Sequence, residues 1–224
     1  MNFSNVKKIA IPEGNVKEIV NSAGKSLWKT GPGYIYLKMI DRSISGMYTN
    51  ETIESIGGYA FSECSKLTTV DFPAATSIGE NAFDKCTKLT TADFPAATSI
   101  GSYAFNICYK LTTINFPIAT SIGKLAFQSC SSLTTTNFPA VISIGEHAFI
   151  DCASLITLIL RSETMATLES TDTFSGTPIS SGTGYIYVPA TLVDTYKAAT
   201  NWSTYANQIR AIEDYPEITG GEMA

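Results

Sequence analysis

Charge is scarce in this sequence: Asp, Glu, Lys and Arg make up 16% of its 224 residues, against 44% hydrophobic residues. A disordered chain has the opposite balance, so the composition predicts a folded protein. The 15 basic and 20 acidic residues give a net charge of −5. Such a chain has no surplus of positive charge for a nucleic-acid backbone or an anionic membrane, and neither partner is predicted.

Histidine, long apolar runs and catalytic motifs are equally scarce. His147 is the one histidine of the sequence, which argues against histidine-based acid–base or metal chemistry. No apolar run reaches the roughly 20 residues that span a bilayer, and the amino terminus lacks the apolar stretch of a secretory signal. G-x-S-x-G, H-E-x-x-H and a phosphate-binding glycine loop with lysine do not occur. The sequence therefore predicts a soluble globular protein that is not an enzyme and needs no cofactor or metal.

What the sequence does contain is an internal repeat. The string I-G-x-x-A-F begins five times at a constant step of 22 residues, at Ile56, Ile78, Ile100, Ile122 and Ile144. A cysteine and a leucine follow in every copy, and four copies also contain Phe-Pro. A 22-residue period lies in the window of about 20–29 residues that is typical of leucine-rich repeats, in which each unit supplies a strand and a short helix or turn.

The segment from Leu111 to Phe116 predicts how one repeat folds. Its pattern L-x-x-I-x-F places Ile114 and Phe116 on the inward face of a strand and Thr113 and Asn115 on the outward face. Stacking the copies at about 4.8 Å builds a parallel sheet on one side and a column of short helical turns on the other. Because no repeat buries its own apolar face, the fold class predicted is a repeat solenoid stabilised by contacts between neighbours.

The residue pattern changes on both sides of the repeats, and these changes divide the chain into five parts. Short strands are predicted at Lys8 to Ile11, Val16 to Val20 and Ser26 to Lys29, joined by turns. The predicted parts are a small β-module at 1–30, a linker and N-terminal capping strand at 31–55, the leucine-rich repeat solenoid at 56–160, a partly helical C-terminal cap at 161–215 and a frayed tail at 216–224.

A matching string opens a segment at each end of the solenoid. Tyr34-Ile35-Tyr36 and Tyr185-Ile186-Tyr187 both follow Gly-x-Gly. They are interpreted either as two ordinary edge strands or as terminal strands that cover the exposed edges of the solenoid sheet. Beyond the second string, a helix is predicted from Pro189 to Lys197.

The repeat unit C-x-x-L-T-T-x-x-F-P-x-x-x-S-I-G-x-x-A-F resembles the BspA-type leucine-rich repeats of bacteria, protozoa and phages over about residues 51–160. The last copy departs from that unit, with Arg161 in the place of proline. The pattern V-K-x-I…L-W in residues 1–30 and the stretch that begins at Tyr185 resemble flanking segments of phage and prophage structural proteins of Gram-positive bacteria.

These resemblances imply a non-enzymatic interaction or adhesion protein. The first interpretation is a phage or prophage tail-associated protein that contacts a host surface, located on the virion. The alternative is a bacterial cell-surface adhesin, which would require an export signal that these residues do not show. The partner is expected to be a protein or a cell-surface glycan, and the oligomeric state stays open.

The cysteines recur at the period of the repeat and form no C-x-x-C pair; they are Cys64, Cys86, Cys108, Cys130 and Cys152. Equivalent positions on stacked repeats point in the same direction, so disulfides are not predicted. A linear array also does not converge on one metal ion. We interpret the cysteines as a structural ladder of buried free thiols.

The outward positions of the strands are free of core packing and form the candidate binding face: Thr69, Asp71, Thr91, Asp93, Thr113, Asn115, Thr135 and Asn137. This face is rich in hydroxyls and amides, and it is interpreted either as a platform for a partner or as an ordinary solvated sheet face. Asp71 and Asp93, about 5 Å apart on neighbouring strands, also match the carboxylate spacing of a retaining glycosidase. A glycan hydrolase is therefore the alternative of another class, although a repeat produces that spacing by itself.

Overall fold

The computed structural model describes residues 18–20, 26–31, 34–37 and 42–219, and the strand predicted from Lys8 to Ile11 lies outside them. Its strands are β1 Glu18–Val20, β2 Ser26–Gly31, β3 Tyr34–Leu37, β4 Ser45–Thr49, β5 Ser55–Ile56, β6 Lys66–Asp71, β7 Ser77–Ile78, β8 Thr91–Asp93, β9 Ser99–Ile100, β10 Thr113–Asn115, β11 Ser121–Ile122, β12 Thr135–Phe138, β13 Ser143–Ile144, β14 Thr157–Leu160, β15 Thr167–Leu168, β16 Tyr185–Val188 and β17 Ile209–Ala211.

Every repeat contributes two strands, one to each side of a solenoid. The five Ser-Ile strands, together with β1, β2, β3 and β15, form a nine-stranded sheet in the order β1-β2-β3-β5-β7-β9-β11-β13-β15. The longer strands form two four-stranded sheets, β4-β6-β8-β10 and β12-β14-β16-β17. Within the repeats all pairing is parallel, and Thr69, Thr91 and Thr113 lie in register one period apart. The predicted parallel solenoid is confirmed, and the Ser-Ile segments form a second row of strands in addition to the predicted one.

The I-G-x-x-A-F segments form turns. The predicted fold class allowed either a short helix or a turn in this part of each repeat. In the first copy, the Ala60 amide donates to Gly57 O in its own turn at 3.2 Å, whereas the Phe61 amide donates to Ala82 O of the next repeat at 2.7 Å. Tyr59, at φ 61°, adopts the left-handed conformation. A helix would direct all these amides along its own axis, so half of the hydrogen bonding here serves to join one repeat to the next.

Two ladders of phenylalanine rings form the core. The turn-side ladder runs through Phe61, Phe83, Phe105, Phe127, Phe149 and Phe174, with centroids 4.9–5.7 Å apart. The strand-side ladder stacks Phe72, Phe94 and Phe116 at 5.5 Å. Rings of the two ladders meet edge to face, as at Phe83 and Phe94, 5.7 Å apart. The interior is therefore a continuous aromatic stack that no repeat forms alone.

Both Tyr-Ile-Tyr segments are strands with a partner on each side. β3 lies between β2 and β5 in the nine-stranded sheet, and β16 lies between β14 and β17. Neither is an edge strand, so the first interpretation of these segments is wrong. Each one covers the terminal repeat strand of a sheet, and it is covered in turn by a further strand.

The C-terminal cap is held by aromatic side chains. A 3-10 helix at Ala190–Leu192 continues into α1 at Val193–Ala198, and a second 3-10 helix spans Trp202–Tyr205. The Ala166 amide donates to Tyr196 Oη at 2.8 Å, and Trp202 Nε1 donates to Ala166 O at 2.7 Å. Two buried rings thereby fix the cap to the last turn of the solenoid.

The structure describes the C-terminal segment as far as residue 219, and residues 212–219 are called the tail from here on. Two further 3-10 helices span Ile212–Asp214 and Pro216–Thr219. Ile218 packs against a small apolar cluster on the sheet that contains β14 and β16. Residues 216–219, which the sequence assigns to a frayed tail, thus pack against the sheet through Ile218.

Candidate functional site: the strand face

The outward residues of β6, β8 and β10 form two straight rows. Thr69, Thr91 and Thr113 are paired in register in the first row. The second row consists of Asp71, Asp93 and Asn115. Six of the eight predicted face residues thus lie together on one sheet, at the spacing of neighbouring parallel strands.

The second row is acidic at its N-terminal end. Desolvation raises the pKa of the Asp71 carboxyl, and the neighbouring carboxylates of Asp93 and Glu51 raise it further. Asn115 Nδ2 donates to Asp93 Oδ1 at 2.8 Å, so an amide bonds to the carboxylate beside it. The two aspartates stand side by side in a ladder rather than across a cleft from each other, which is not the geometry in which two carboxylates flank a glycosidic bond.

The face is interrupted between the third and fourth repeats. β10 and β12 belong to different sheets, so Thr135 and Asn137 are not paired with Thr113 and Asn115. We call this interruption the seam. It divides the predicted eight-residue face into a group of six residues and a group of two.

Backbone and side chains both show the seam. The Phe94 amide donates to Asn115 O at 3.1 Å, but within the described residues Phe116 makes no equivalent bond to Asn137. The strand-side phenylalanine stack also ends at Phe116, whereas on the turn side Phe105 and Phe127 remain stacked at 5.4 Å. The strand pairing is therefore interrupted at this point while the turn side is continuous, and Phe116 and Phe138 on either side of the interruption stay buried.

The repeat that follows the seam departs from the others at three positions. Thr136 occupies an inward position that the other repeats fill with Val70, Ala92, Ile114 or Leu158, and its buried hydroxyl has no hydrogen-bond partner. Val141 replaces the smaller buried residue of Ala75, Ala97 and Ala119. Ile142 replaces the threonine whose hydroxyl donates to the preceding repeat, as Thr120 does to Thr98 O at 3.1 Å. Of the three residues, Thr136 lies in β12 itself, at the interruption, whereas β11 and β13 beside Ile142 remain paired.

The most exposed side chains of the strand face lie next to the seam. The outward residues beside it are exposed, whereas their equivalents on β6 and β8 are half-buried; the exposed residues are Thr113, Asn115, Thr135 and Asn137. Ile114, predicted to be buried, is only partly buried because no strand pairs with β10 on that side. The part of the face most accessible to a partner is therefore its centre. The sequence signal for this was present in Thr136, Val141 and Ile142, which break the repeat.

At its C-terminal end the face is covered. Ile159, the outward residue of β14 that continues the row of Asn137, is 2% exposed. It lies in an apolar cluster with Tyr187 and Ile212. The end of this row at Ile159 is thus covered by the tail.

The cysteines lie in one buried column. In each of the last four copies the thiol donates to the carbonyl of the phenylalanine 25 residues earlier, with Sγ···O distances of 3.0–3.2 Å, at Cys86, Cys108, Cys130 and Cys152. Burial raises the pKa of the Cys152 thiol to about 12. All five cysteines are buried, and none of them forms a disulfide within the described residues.

His147 lies on the turn side, away from the strand face. Its Nδ1 is 3.5 Å from Glu146 Oε1, and its Nε2 is 4.0 Å from Asp172 Oδ2. Among the residues that the structure describes, no three His, Cys, Asp or Glu side chains are grouped so as to hold a metal ion. The described part of the chain also contains no helix with the length and apolarity needed to cross a bilayer.

Comparison with known proteins gives a family match and a set of similar folds. Residues 40–156, just over half of the chain, match the BspA type leucine rich repeat region in six copies. A leucine rich cell surface protein from Faecalibacterium prausnitzii A2-165 is similar, with 21% identity, a TM-score of 0.63, and coverage of 84% of this chain and 55% of the other. A leucine-rich repeat protein from Eubacterium ventriosum has 22% identity, a TM-score of 0.51 and coverage of 70% and 52%.

This chain therefore spans about half the length of those two proteins. At these identities the similarity extends to the fold. No curated protein sequence is significantly similar to the chain.

Proposed function

The chain belongs to the BspA-type leucine-rich repeat family, and from this premise we propose that it is a non-enzymatic interaction module whose strand face contacts a partner protein or a cell-surface glycan. The observation that supports the proposal is the exposure of Thr113, Asn115, Thr135 and Asn137 at the seam. These side chains have no packing role, and the adjoining backbone is unpaired toward the neighbouring sheet. Hydroxyl, amide and free backbone groups together offer a partner many hydrogen-bond donors and acceptors.

We propose attachment to a host surface as the setting, with the chain as a phage or prophage tail-associated protein. The support is the resemblance of its flanking segments to phage structural proteins. A bacterial cell-surface adhesin is the alternative, and the fold it shares with a leucine rich cell surface protein favours this second setting. The genes on either side of this one separate the two: tail and lysis genes would identify the phage protein.

The test of the binding face is a pair of arginine substitutions at the seam. Thr113→Arg with Asn115→Arg places two long charged side chains on exposed outward positions, where the main core is untouched. Binding to intact host cells or cell-wall glycans is expected to fall at least about tenfold, since steric and charge conflicts at a contact cost several times RT.

The matched control adds the same charges to the side of the nine-stranded sheet, as Ile142→Arg with Thr167→Arg, both at exposed positions. It should bind like wild type, and both variants should melt like wild type. Equal binding by the seam variant and wild type would show that this face is only solvated. Release of reducing sugar from cell-wall glycans would identify the hydrolase alternative instead.

A further inference from the structure

The outer surface of the sheet that contains β14 and β16 has its own apolar cluster, separate from the solenoid core. Ile159 and Tyr187 form its base, with Tyr185 beside them. The guanidinium of Arg210 lies 4.8 Å from the centre of the Tyr185 ring. We call Ile159, Tyr185, Tyr187 and Arg210 the docking patch. It presents aromatic, aliphatic and cationic chemistry at the C-terminal end of the strand face.

The chain's own tail occupies the docking patch. Ile212 belongs to the cluster, and Tyr215 and Ile218 pack against it. The three residues follow one another at steps of three, with Tyr215 between the two 3-10 helices, and all of them face the sheet. The Tyr215 ring meets the Tyr187 ring edge to face, with centroids 5.3 Å apart. Three apolar anchors on one side of a short segment are the features of a docked peptide motif.

The backbone of the tail bonds mainly to itself. The Tyr215 amide donates to Ile212 O at 3.1 Å, and the Ile218 amide donates to Tyr215 O at 3.0 Å. Toward the body of the protein, Glu213 Oε2 accepts a hydrogen bond from the Ala190 amide at 2.9 Å. Beyond β17 the tail is therefore held to the strand face by side chains, and it is not a strand of the sheet.

We propose that the docking patch is a peptide-binding site and that the partner presents the chemistry of the tail: an aliphatic residue, a carboxylate next to it, and an aromatic residue three positions after the aliphatic one. The partner's carboxylate takes the Ala190 amide, and its aromatic ring takes the place of Tyr215 against Tyr187. The tail occupies the site until such a segment displaces it. This inference rests on the proposed function and deepens it, because it names the partner chemistry at one end of the same face.

Charge supports an acidic partner. Arg210 is a partly exposed cation of the patch, and its Nη1 donates to Asn207 O at 2.8 Å. The tail carries three acidic residues, Glu213, Asp214 and Glu217. Glu217 is close enough to add to the desolvation that raises the pKa of Tyr187, and Arg210 opposes that shift. An exposed cation attracts and orients an acidic segment, while the apolar anchors supply most of the affinity.

The experiment uses the full chain and a fluorescent peptide that copies residues 211–219. In wild type the covalently attached tail competes at an effective concentration in the millimolar range, so the free peptide binds weakly. Replacing Tyr215→Ser together with Ile218→Ser removes two anchors from the tail and leaves the patch intact. The released variant is expected to bind the peptide at least about tenfold more tightly than wild type.

Two controls make the result specific. A peptide with serine at the position of Tyr215 should lose binding to the released variant. Adding Ile159→Asp to that variant should abolish binding, because the side chain lies outside the core and only the patch changes. If the released variant is unstable, Tyr215→Asp alone tests the same release. No gain in affinity over wild type, or equal binding of both peptides, overturns the proposal.

The two proposals fail separately. Host-cell binding that is lost in the seam variant, together with no peptide binding by the released variant, would overturn the docking patch alone. Tight peptide binding, together with host-cell binding that the seam arginines leave unchanged, would overturn the strand-face contact at the seam alone.

Discussion

In the second to fifth copies of the repeat, the glycine of the Ile-Gly pair faces the backbone of the repeat before it. A Cβ placed on Gly101 would lie 2.7 Å from Gly79 C and 2.7 Å from Ile78 O. Backbone atoms cannot rotate away as a flexible side chain can, so the two repeats would have to separate. The main chains of neighbouring repeats therefore approach each other so closely at this position that only glycine fits, which explains why the Ile-Gly pair recurs in the repeats.

Gly101→Ala is accordingly expected to reduce the free energy of unfolding by about 1–3 kcal/mol or more, the usual effect of overpacking. Gly58→Ala is the matched control, since other repeats carry Glu80, Ser102 or Lys124 at that position. It should stay within about 0.5 kcal/mol of wild type. Urea unfolding of both variants measures the difference, and equal losses would contradict the explanation.

The buried thiols make stability depend on alkaline pH. The ordinary pKa of a cysteine thiol here is 9.0, and burial raises that of Cys152 to about 12. Below pH 9 the folded and unfolded states both keep the proton, and the thiols add no pH dependence. Between these two values the unfolded state releases protons that the folded state retains, so the free energy of unfolding falls as pH rises.

Each such thiol is expected to lower the free energy of unfolding by about 1.4 kcal/mol per pH unit in that interval. Guanidinium unfolding at pH 8, 9.5 and 10.5 measures the slope. Cys152→Ala removes one titrating thiol. It should therefore reduce the slope by the contribution of one proton, about 1.4 kcal/mol per pH unit, whatever its effect on stability at neutral pH. An unchanged slope would mean that Cys152 does not keep its proton in the folded state.

At the scale of the strands, the seam follows from side chains that break the repeat. Most of the pairing was predictable from the period, because identical residues must lie in register. The gap between β10 and β12 was not predicted, because the packing of the buried Thr136 hydroxyl, which has no hydrogen-bond partner, depends on its three-dimensional surroundings. The same reason explains why the predicted face of eight residues is divided.

Thr136→Val should raise the free energy of unfolding by about 1–3 kcal/mol, because a buried hydroxyl without a partner costs that amount. Thr173→Val is the control: its buried hydroxyl donates to Ser170 O at 2.9 Å, so the same change should destabilise the protein. Opposite signs in urea unfolding are the expected result. Two losses of similar size would show that the Thr136 hydroxyl is satisfied in solution.

The turn segments mark another limit of sequence reasoning. A non-glycine residue rarely adopts a positive φ, and nothing in the sequence marks Ile107 as left-handed. In the structure Ile107 has φ 60°, and its amide donates to Gln128 O of the next repeat at 2.8 Å. Stacking thus selects a backbone conformation that the residue itself disfavours. For this reason the sequence predicted the position of the turns but not their conformation.

At the scale of the whole molecule, one sheet bridges the seam. The nine-stranded sheet runs from β1 to β15 without interruption, and the turn-side phenylalanine stack crosses the same point. Both four-stranded sheets are attached to this continuous side. The two halves of the solenoid should therefore unfold together, as nearest-neighbour coupling between stacked repeats requires.

Leu111→Ala tests this coupling, because Leu111 is fully buried in the repeat just before the seam. The substitution should cost about 2–5 kcal/mol. In a Trp28→Phe background, Trp202 is the remaining indole, and its fluorescence reports on the cap beyond the seam. Its urea midpoint should shift together with that of the far-UV circular dichroism. A shift in the dichroism with an unchanged fluorescence midpoint would show two independent halves.

Because the Ile-Gly, Phe and Cys ladders repeat regularly, the number of repeats sets the length of the solenoid. Since the inner repeats share one core pattern and one 22-residue step, gain or loss of a copy leaves the packing rules unchanged. Each copy alters the distance between the acidic end of the strand face and the tail-covered end by about 4.8 Å. Duplication or deletion of a repeat would thus change the distance between these two ends in fixed steps, and the fold itself would stay the same.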